Sequence, residues 1–270
     1  GSMDDASSIF TQMICRNITT WNLMLVGHTL HGNPHEAIKL FWKMQDDSNN
    51  AIPNKVLCVI TLKACAKARD LREGKEVHDC IIRNSLESVS VTLIDMYSKC
   101  GCLKDARYVF DNITEPDVVT WSAMIAGYGL HKHSDESFKL YLMMETKRMY
   151  VNDVTFLNLL KSCTGNEYLD KVRAIHGHIT KRGLTSKNGF LENALVDVYA
   201  KCKSLIDACH VFRFISTRNV VSWSALIAGY VQHGFSDKAL KCFIQMKGAG
   251  MCGDTITYIS ILKVCGMVGS

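Results

Sequence analysis

The stretch SWSALIAGYVQHGFSDKALKCFIQM, residues Ser222 to Met246, belongs to a pattern that occurs three times in this chain of 270 residues. The related copies are TWNLMLVGHTLHGNPHEAIKLFWKM from Thr20 to Met44 and TWSAMIAGYGLHKHSDESFKLYLMM from Thr120 to Met144. The copies align without a gap and begin roughly 100 residues apart, a long fixed period that indicates a repeat architecture. A unit of this size cannot bury its own apolar face, so stacked neighbours must complete the core. The pattern therefore predicts a solenoid.

Two further kinds of unit fill the interval between these copies. One contains LIDMYSKCG from Leu93 and LVDVYAKC from Leu195, and the other contains VLCVITLKAC from Val56 and VTFLNLLKSC from Val154. The opening of the second kind returns as ITYISILKVC from Ile256. Three kinds of unit thus alternate in a fixed order. The expected units are a partial one at 4–17, complete ones at 18–54, 55–86, 87–117, 118–152, 153–188, 189–219 and 220–254, and a partial one at 255–270.

Each complete unit has the pattern of two short helices joined by a turn. Ala239, Cys242, Phe243 and Met246 have the i, i+3, i+4, i+7 spacing of an apolar helix face. These second helices should begin at residues that suit a helix N-terminus, namely Asn33-Pro34, Ser134-Asp135 and Ser236-Asp237. The first half of each unit is apolar on most sides, which indicates a helix packed on more than one face. No hairpin signal is present, so the predicted fold class is all-α, an α-solenoid superhelix of helix-turn-helix repeats.

Composition excludes some classes of protein. The chain is 47% hydrophobic with a net charge of +5, and no apolar run approaches the roughly 18 to 20 residues that a membrane span needs. We therefore expect no membrane association. Gly1 to Met3 resemble an expression remnant, so a native targeting peptide would be missing from this sequence. Two extra residues near Asp46 to Asn50 are expected to form a loop bulge in the first complete unit.

The twelve cysteines recur at equivalent positions in the repeats. Cys65, Cys163 and Cys265 form one set, and Cys100 and Cys202 form another. This recurrence predicts small buried packing residues with free thiols rather than disulfides, and free thiols indicate a reducing compartment. The alternative is a metal ligand, for which Cys100 and Cys102 are the only close pair.

The histidines also recur, which favours a role in the scaffold over one in catalysis. His78 is equivalent to His176, and His31, His131 and His233 form a second set. No Ser-His-Asp set, glycine-rich phosphate loop or paired-carboxylate arrangement can be argued from the spacing. We therefore predict no enzymatic activity, no cofactor and no metal.

With these features established, the chain resembles the pentatricopeptide repeat family. The 220–254 unit resembles its standard repeat, the LIDMYSKCG and LVDVYAKC units resemble the short variant, and the KACAKARDLREGKEVH unit resembles the long variant. The ordered alternation is similar to that of a land-plant subclass. The resemblance implies binding of single-stranded RNA with about one base per repeat and the specification of sites for cytidine-to-uridine editing. It also implies a mitochondrial or chloroplast location and helper proteins that dock on the long repeats. We expect the protein to be a monomer.

The resemblance assigns base reading to the fifth and last residues of a repeat. Small polar side chains at these positions can hydrogen-bond a Watson–Crick edge, and they are Asn22 with Asn54, Ser122 with Asn152, Asn193 with Asn219, and Ser224 with Asp254. The alternative is that the last residues cap the next helix and the fifth residues face solvent. The second residue wedges between bases, which gives Val119, Phe190 and Val221. Lys67, Lys99 and Lys201 are candidate phosphate contacts, or ordinary solvated lysines.

Some units depart from this pattern. Val91 occupies the fifth position of the first short unit and cannot donate or accept a hydrogen bond, so with Asp117 it should read weakly or not at all. Val59 and Leu157 occupy the fifth position of the long units, which should contribute spacing more than base reading. With the N-terminal repeat at the 5′ end, the expected ligand is Y-n-n-A-n-Y-G, where Y is a pyrimidine and n is any base.

Three other functions stay open at this point. Tetratricopeptide-like arrays of the same fold are usually protein-binding scaffolds, although the alternating unit lengths and small polar pairs count against that reading. In a mixed role, long repeats would bind a helper protein while standard and short repeats read RNA. An array could also take part in organelle RNA processing or stability without editing.

Overall fold

The computed structural model describes residues 3–46, 53–86, 88–184 and 189–268. Gly1 and Ser2, and residues 47–50 of the expected loop bulge, lie outside this part of the chain. The described residues form sixteen α-helices, one short 3-10 turn at Asn166–Tyr168 and no strand. The predicted all-α class is confirmed. The repeat boundaries themselves stay a prediction.

The chain forms two compact units, Gly1–His131 and Lys132–Ser270, here called unit 1 and unit 2. The helices of unit 1 are α1 Met3–Gln12, α2 Ile18–Leu30, α3 Pro34–Asp46, α4 Lys55–Ala68, α5 Leu71–Arg83, α6 Ser90–Lys99, α7 Leu103–Asp111 and α8 Val118–Leu130. Those of unit 2 are α9 Ser134–Thr146, α10 Asp153–Ser162, α11 Leu169–Lys181, α12 Phe190–Lys201, α13 Leu205–Phe214, α14 Val220–Gln232, α15 Ser236–Gly248 and α16 Thr255–Val268.

Each unit is a stack of helical hairpins in two layers. In unit 1 the first helices of successive hairpins, α2, α4, α6 and α8, contact one another in order. In unit 2 the helices α10, α12, α14 and α16 do the same. Second helices such as α3, α5, α13 and α15 pack against their own first helix and against the next one. First helices are therefore buried on several sides, as their apolar sequences predict.

A Trp–Phe contact recurs where a second helix meets the next first helix. The ring centroids of Phe110 and Trp121 lie 4.8 Å apart and those of Phe212 and Trp223 lie 4.7 Å apart, both edge to face. Phe10 and Trp21 repeat the contact at 4.8 Å. Edge-to-face aromatic pairs contribute beyond the area that they bury, so this contact sets the register of one hairpin against the next.

Successive first helices approach closely at a recurring glycine. A Cβ added to Gly229 would lie 2.6 Å from Cβ of Ala200, and one added to Gly127 would collide with the side chain of Ser98. These separations leave no room for a side chain. One turn later, His233 Nε2 lies 2.7 Å from the carbonyl oxygen of Ala200. His131 makes the same contact with the Ser98 carbonyl at 2.6 Å.

Most of the recurrent cysteines and histidines have packing environments, but Cys265 and His31 are exposed, so the prediction of a buried packing residue is wrong for Cys265. Cys65 and Cys163 are buried, and burial raises the pKa of the Cys163 thiol to about 11. His78 Nδ1 lies 2.8 Å from the Tyr97 hydroxyl, and His176 repeats the contact with Tyr199 at 3.0 Å. These pairs join the second helix of one hairpin to the first helix of the next.

Two kinds of feature are absent from the described residues. No group of three or more His, Cys, Asp and Glu side chains is arranged to hold a metal ion in the ranges that the structure covers. None of the described helices is both long enough and apolar enough to cross a membrane.

Candidate nucleic-acid interface

A groove of about 490 Å³ lies along the first-helix layer of unit 2. Helices α10, α12, α14 and α16 all contribute to it, together with the loops that precede α14 and α16. Its lining residues are Leu157, Lys161, Phe190, Asn193, Ala194, Asp197, Val198, Asn219, Val221, Ser224, Ala225, Ala228, Asp254 and Ile256. The structure thus brings together, for two consecutive repeats, the residues that the sequence selected for base contact.

Three apolar side chains project into this groove although they are largely exposed to solvent. Phe190 is 66% exposed, Val221 is 57% exposed and Ile256 is 61% exposed. Each lies in the first turn of its helix, at the second position of a predicted repeat. Exposure of apolar side chains to water does not stabilise the fold. Three such side chains in one groove are therefore typical of a surface that binds a ligand.

Asn193 and Asn219 form the first polar pair of the groove. The Asn193 amide donates from Nδ2 to Oδ1 of Asn219 at 3.3 Å. The side chain of Asn193 is only 7% exposed, and its Oδ1 is buried without a hydrogen-bond partner among the described residues. A buried acceptor without a hydrogen bond destabilises the folded state. A ligand that donates a hydrogen bond to Oδ1 of Asn193 would remove this cost.

Ser224 and Asp254 form the second polar pair. Oδ1 of Asp254 accepts hydrogen bonds from the Thr257 backbone N–H at 2.8 Å and the Thr257 hydroxyl at 2.7 Å. The Ser224 hydroxyl lies 3.0 Å from the same oxygen and 2.7 Å from the Val220 carbonyl oxygen. Burial opposes ionisation of Asp254, but the hydrogen bonds from Thr257 and Ser224 hold its pKa below the usual range. The carboxylate is therefore charged at neutral pH and can only accept hydrogen bonds.

The last residues of the repeats also cap the next first helix. Asn54 Oδ1 accepts from the Leu57 N–H at 2.9 Å, and Asn152 Oδ1 accepts from the Thr155 N–H at 3.0 Å. Asn219 does the same for Ser222 at 3.0 Å. The capping alternative is thus confirmed for these residues. It engages Oδ1 alone, and within the described residues the other polar atom of each side chain makes no hydrogen bond.

Unit 1 places its predicted residues in similar local settings. Asn22 is half-buried, and its Oδ1, like that of Asn193, is buried without a partner in the described part of the chain. Val119 is 58% exposed at the start of α8. Ser122 is buried in α8 of unit 1, whereas its predicted partner Asn152 lies in unit 2. Val91 is half-buried near the start of α6.

The three candidate phosphate-binding lysines already have partners. Lys67 Nζ donates to the Thr29 carbonyl at 2.8 Å, at the C-terminal end of α2. Lys99 and Lys201 form ion pairs one helical turn back, with Asp95 at 2.8 Å and with Asp197 at 2.5 Å. Exposed i,i+4 pairs contribute little stability, so a phosphate can compete with these two aspartates. To bind a phosphate, Lys67 would have to give up its hydrogen bond to the Thr29 carbonyl at the end of α2.

Sequence reasoning missed seven of the lining residues, and three of these, Ile256, Lys161 and Asp197, have side chains suited to contact a ligand. Ile256 occupies the second position of the last predicted repeat, 255–270, for which no base-contacting residue was named. Lys161 lines the groove and is exposed, with no ion pair among the described residues. Its recurrence as Lys63 and Lys263 in the other long units was the available signal. Asp197 lines the groove and forms an ion pair with Lys201. The spacing of the sequence did not distinguish it from an ordinary surface aspartate.

Comparison with known proteins places these features in a family. The model of the PPR repeat family matches residues 116–165 and 218–267, and a model of the single PPR repeat matches 19–48 and 90–115. Pentatricopeptide repeat-containing protein At2g33680 of Arabidopsis thaliana is 35% identical over 99% of this chain and 37% of its own length. The chloroplastic protein CRR2 of the same plant is 34% identical over 100% of this chain and 42% of its own length. The mitochondrial protein At3g09040 of the same plant is 33% identical over 100% of this chain and 26% of its own length.

The fold is also found in solved structures. The pentatricopeptide repeat protein PPR10 in complex with an 18-nucleotide psaJ RNA element matches with a TM-score of 0.77 and 17% identity, over 97% of this chain and 40% of that one. A structure of PPR10 from maize matches with a TM-score of 0.62 and 17% identity, over 97% of this chain and 44% of that one. At this identity the likeness concerns the fold alone. The chain spans less than half the length of these curated relatives and solved structures.

Proposed function

Because this chain belongs to the pentatricopeptide repeat family, we propose that it binds single-stranded RNA in a sequence-specific manner along its first-helix layers. The observation that carries the proposal is the groove of unit 2. Its lining includes side chains at the second, fifth and last positions of two consecutive predicted repeats, where exposed apolar side chains alternate with polar pairs in which Asn193 and Ser224 are buried. The RNA complex of PPR10, a protein of the same fold, supports this choice of ligand.

Two bases fit the groove in this proposal. One base lies between Phe190 and Val221, with its edge toward Asn193 and Asn219. The next base lies between Val221 and Ile256. Base–aromatic stacking contributes about 1–3 kcal/mol per base and tolerates any base identity, so Phe190 supplies affinity and the polar pairs supply selectivity.

The two polar pairs differ in what they offer a base. Asn193 and Asn219 present amide groups that both donate and accept, and we assign them a pyrimidine. Asp254 is ionised and presents only acceptors. The guanine edge carries the N2–H₂ donor that distinguishes it from adenine, so we assign guanine to Ser224 and Asp254. Its contact atom is Oδ2 of Asp254, since Oδ1 is saturated by Thr257 and Ser224.

The finer biological role is also a proposal. The alternation of standard, long and short repeats supports a site-recognition factor for cytidine-to-uridine editing in a plant organelle. Relatives named as mitochondrial and as chloroplastic support an organelle location. The whole protein's partners, including helper proteins on the long repeats, and its monomeric state stay at the level of expectation.

The test is an anisotropy titration with two labelled RNAs of identical composition. One carries Y-n-n-A-n-Y-G and the other carries the same bases in permuted order. We expect at least a fivefold preference for the first, since one correct base contact contributes roughly 1–3 kcal/mol. About three phosphate contacts would give a slope near −2 in a plot of log affinity against log salt. Equal affinity for both RNAs would remove the sequence-specific function.

A further inference from the structure

A second concave surface lies in the second-helix layer of unit 2, between α13 and α15. It consists of two cavities of about 400 and 440 Å³ that share Cys209, Arg213, Tyr230 and Lys238, and we call it the basic cleft. It has no lining residue in common with the groove of the first-helix layer. The RNA-binding proposal therefore leaves this surface without a role.

The rim of the basic cleft is strongly cationic. Arg213, Lys238 and Lys241 are exposed, and Arg218 is half-buried. No aspartate or glutamate is among the described residues that line either cavity. Asp207 of α13 is instead bound to Arg173 at 2.9 Å. Cations gathered without counter-charges repel one another, and an anionic ligand would relieve that repulsion.

Two of these cations are held in place by their surroundings. Arg218 donates to the carbonyl oxygens of Phe212 at 3.2 Å and Arg213 at 3.1 Å, and its guanidinium lies 5.0 Å from the centroid of the Phe212 ring. Lys238 Nζ lies 4.8 Å from the centroid of the Phe235 ring. Such preorganisation lowers the entropy cost of binding.

The floor of the cleft is apolar and carries an unused donor. Phe212, Trp223 and Leu226 line it. Trp223 is 6% exposed, and its Nε1 is buried without a hydrogen-bond partner among the described residues. Beside them, the Tyr230 hydroxyl lies 2.8 Å from Sγ of Cys209. The cleft can therefore receive an apolar group below its charged rim.

Two of the four charges of the cleft do not recur in the other repeats, whereas Arg218 recurs as Arg16 and Lys241 recurs as Lys39 and Lys139. The residues equivalent to Arg213 are Thr11 and Asp111, and those equivalent to Lys238 are Glu36 and Glu136. The fold thus accepts a neutral or an acidic residue at the position of Arg213 and an acidic residue at the position of Lys238. Contacts that hold the repeats together recur from one repeat to the next. Arg213 and Lys238 occur together only once, so we attribute this pair to binding rather than to the fold.

We propose that the basic cleft binds an acidic segment of a partner protein, with an apolar side chain of that segment on the floor and its carboxylates on Arg213 and Lys238. A peptide suits the observations better than a nucleic acid does. The cleft joins a narrow apolar floor to a cationic rim, and it lies outside the row of second, fifth and last repeat positions. This proposal does not depend on the RNA-binding function.

The test uses a fluorescein-labelled peptide of alternating Glu and Gly with one central Phe, and a second peptide with Gln in place of Glu. The variant Arg213→Asp/Lys238→Glu takes acidic residues found at equivalent positions. The variant Lys181→Glu/Lys247→Glu is matched in charge change and lies on exposed helix surface outside the cleft. Thermal melts of both variants check folding.

We expect the parent protein to bind the Glu peptide at least tenfold more tightly than the Gln peptide. We also expect the cleft variant to lose at least tenfold in that affinity while the charge-matched control stays within about threefold. RNA affinity should be similar in the two variants. Absence of Glu-peptide binding by the parent at about 0.2 mM, or equal losses in both variants, would overturn the proposal. So would displacement of the peptide by single-stranded RNA, which would place the cleft on an RNA path.

Discussion

The Ser224 hydroxyl lies 3.0 Å from Oδ1 of Asp254, and the same oxygen accepts two hydrogen bonds from Thr257 at the start of α16. One carboxylate oxygen therefore fixes the start of a helix, while the side chain also lines the groove. In the proposed RNA complex, helix capping would use Oδ1 of Asp254 and base contact would use Oδ2. The two interpretations of the last repeat position do not compete here.

Replacing Asp254 with Asn should change the preferred base without unfolding the repeat. Asn retains the Oδ1 cap, but the acceptor Oδ2 becomes an amide donor. We expect Asp254→Asn to move the terminal preference from guanine toward adenine by about 1–3 kcal/mol. Competition binding with RNAs ending in A or G measures this, with Asp237→Asn on the exposed surface of α15 as the control. An identical ranking of the two RNAs by mutant and parent would show that the assignment is wrong.

Phe190→Ala should weaken RNA binding without altering base preference. The side chain is 66% exposed, so its loss costs the fold little, whereas the lost stacking should cost about 1–3 kcal/mol of binding free energy. Anisotropy titrations with several RNAs measure the change. Phe214→Ala is the control, because Phe214 is 76% exposed on the second-helix layer. If both variants bind RNA alike, Phe190 does not contact a base.

Gly229→Ala should destabilise unit 2, because the new Cβ would lie 2.6 Å from Cβ of Ala200. Neither group can rotate away, so α12 and α14 must separate at a cost of about 1–3 kcal/mol. Chemical denaturation measures this cost. Adding Ala200→Gly should recover much of the lost free energy of unfolding, and a double mutant no more stable than Gly229→Ala would contradict the close-approach explanation.

Stability should fall as the pH falls from about 7.5 to 5.5. Burial lowers the pKa of His78 and His176 in the folded chain below the ordinary 6.5. The unfolded state therefore binds protons first as the pH falls through 6.5, and stability present above that value is lost below it. The difference in Tm between the two pH values should shrink in His78→Phe/His176→Phe. In the control His35→Phe, on the exposed surface of α3, it should not.

The buried cysteines should behave as packing residues. Burial raises the pKa of Cys58 and Cys242 to about 12 and that of Cys163 to about 11, so iodoacetamide at pH 8 should leave them unmodified in the native protein. The exposed Cys15 and Cys252 should react, as mass spectrometry of the peptides would show. A strong chelator should leave the Tm unchanged, whereas a large fall would indicate a metal site.

Much of the architecture could be predicted because it depends on periodicity. The spacing of Ala239, Cys242, Phe243 and Met246 identified a second helix, and the structure begins that helix at Ser236. The fifth and last repeat positions were equally visible, because small polar residues recur there. The resemblance to the family assigned the pairing of Asn193 with Asn219 and of Ser224 with Asp254, and the structure places all four residues in one groove.

The sequence by itself determined the helical class and the repeating order of units, since both follow from patterns between near neighbours along the chain. Only the tertiary structure decided which atoms remain available for contact. It showed that Lys67 holds the end of α2, and that Arg213 and Lys238 share a cleft with the buried indole of Trp223. Such facts depend on distances between separate helices, and those distances are set by packing at contacts such as Gly229 on Ala200. The periodicity of a sequence predicts which face of a helix is buried, but the packing of the helices decides which residues that face contacts.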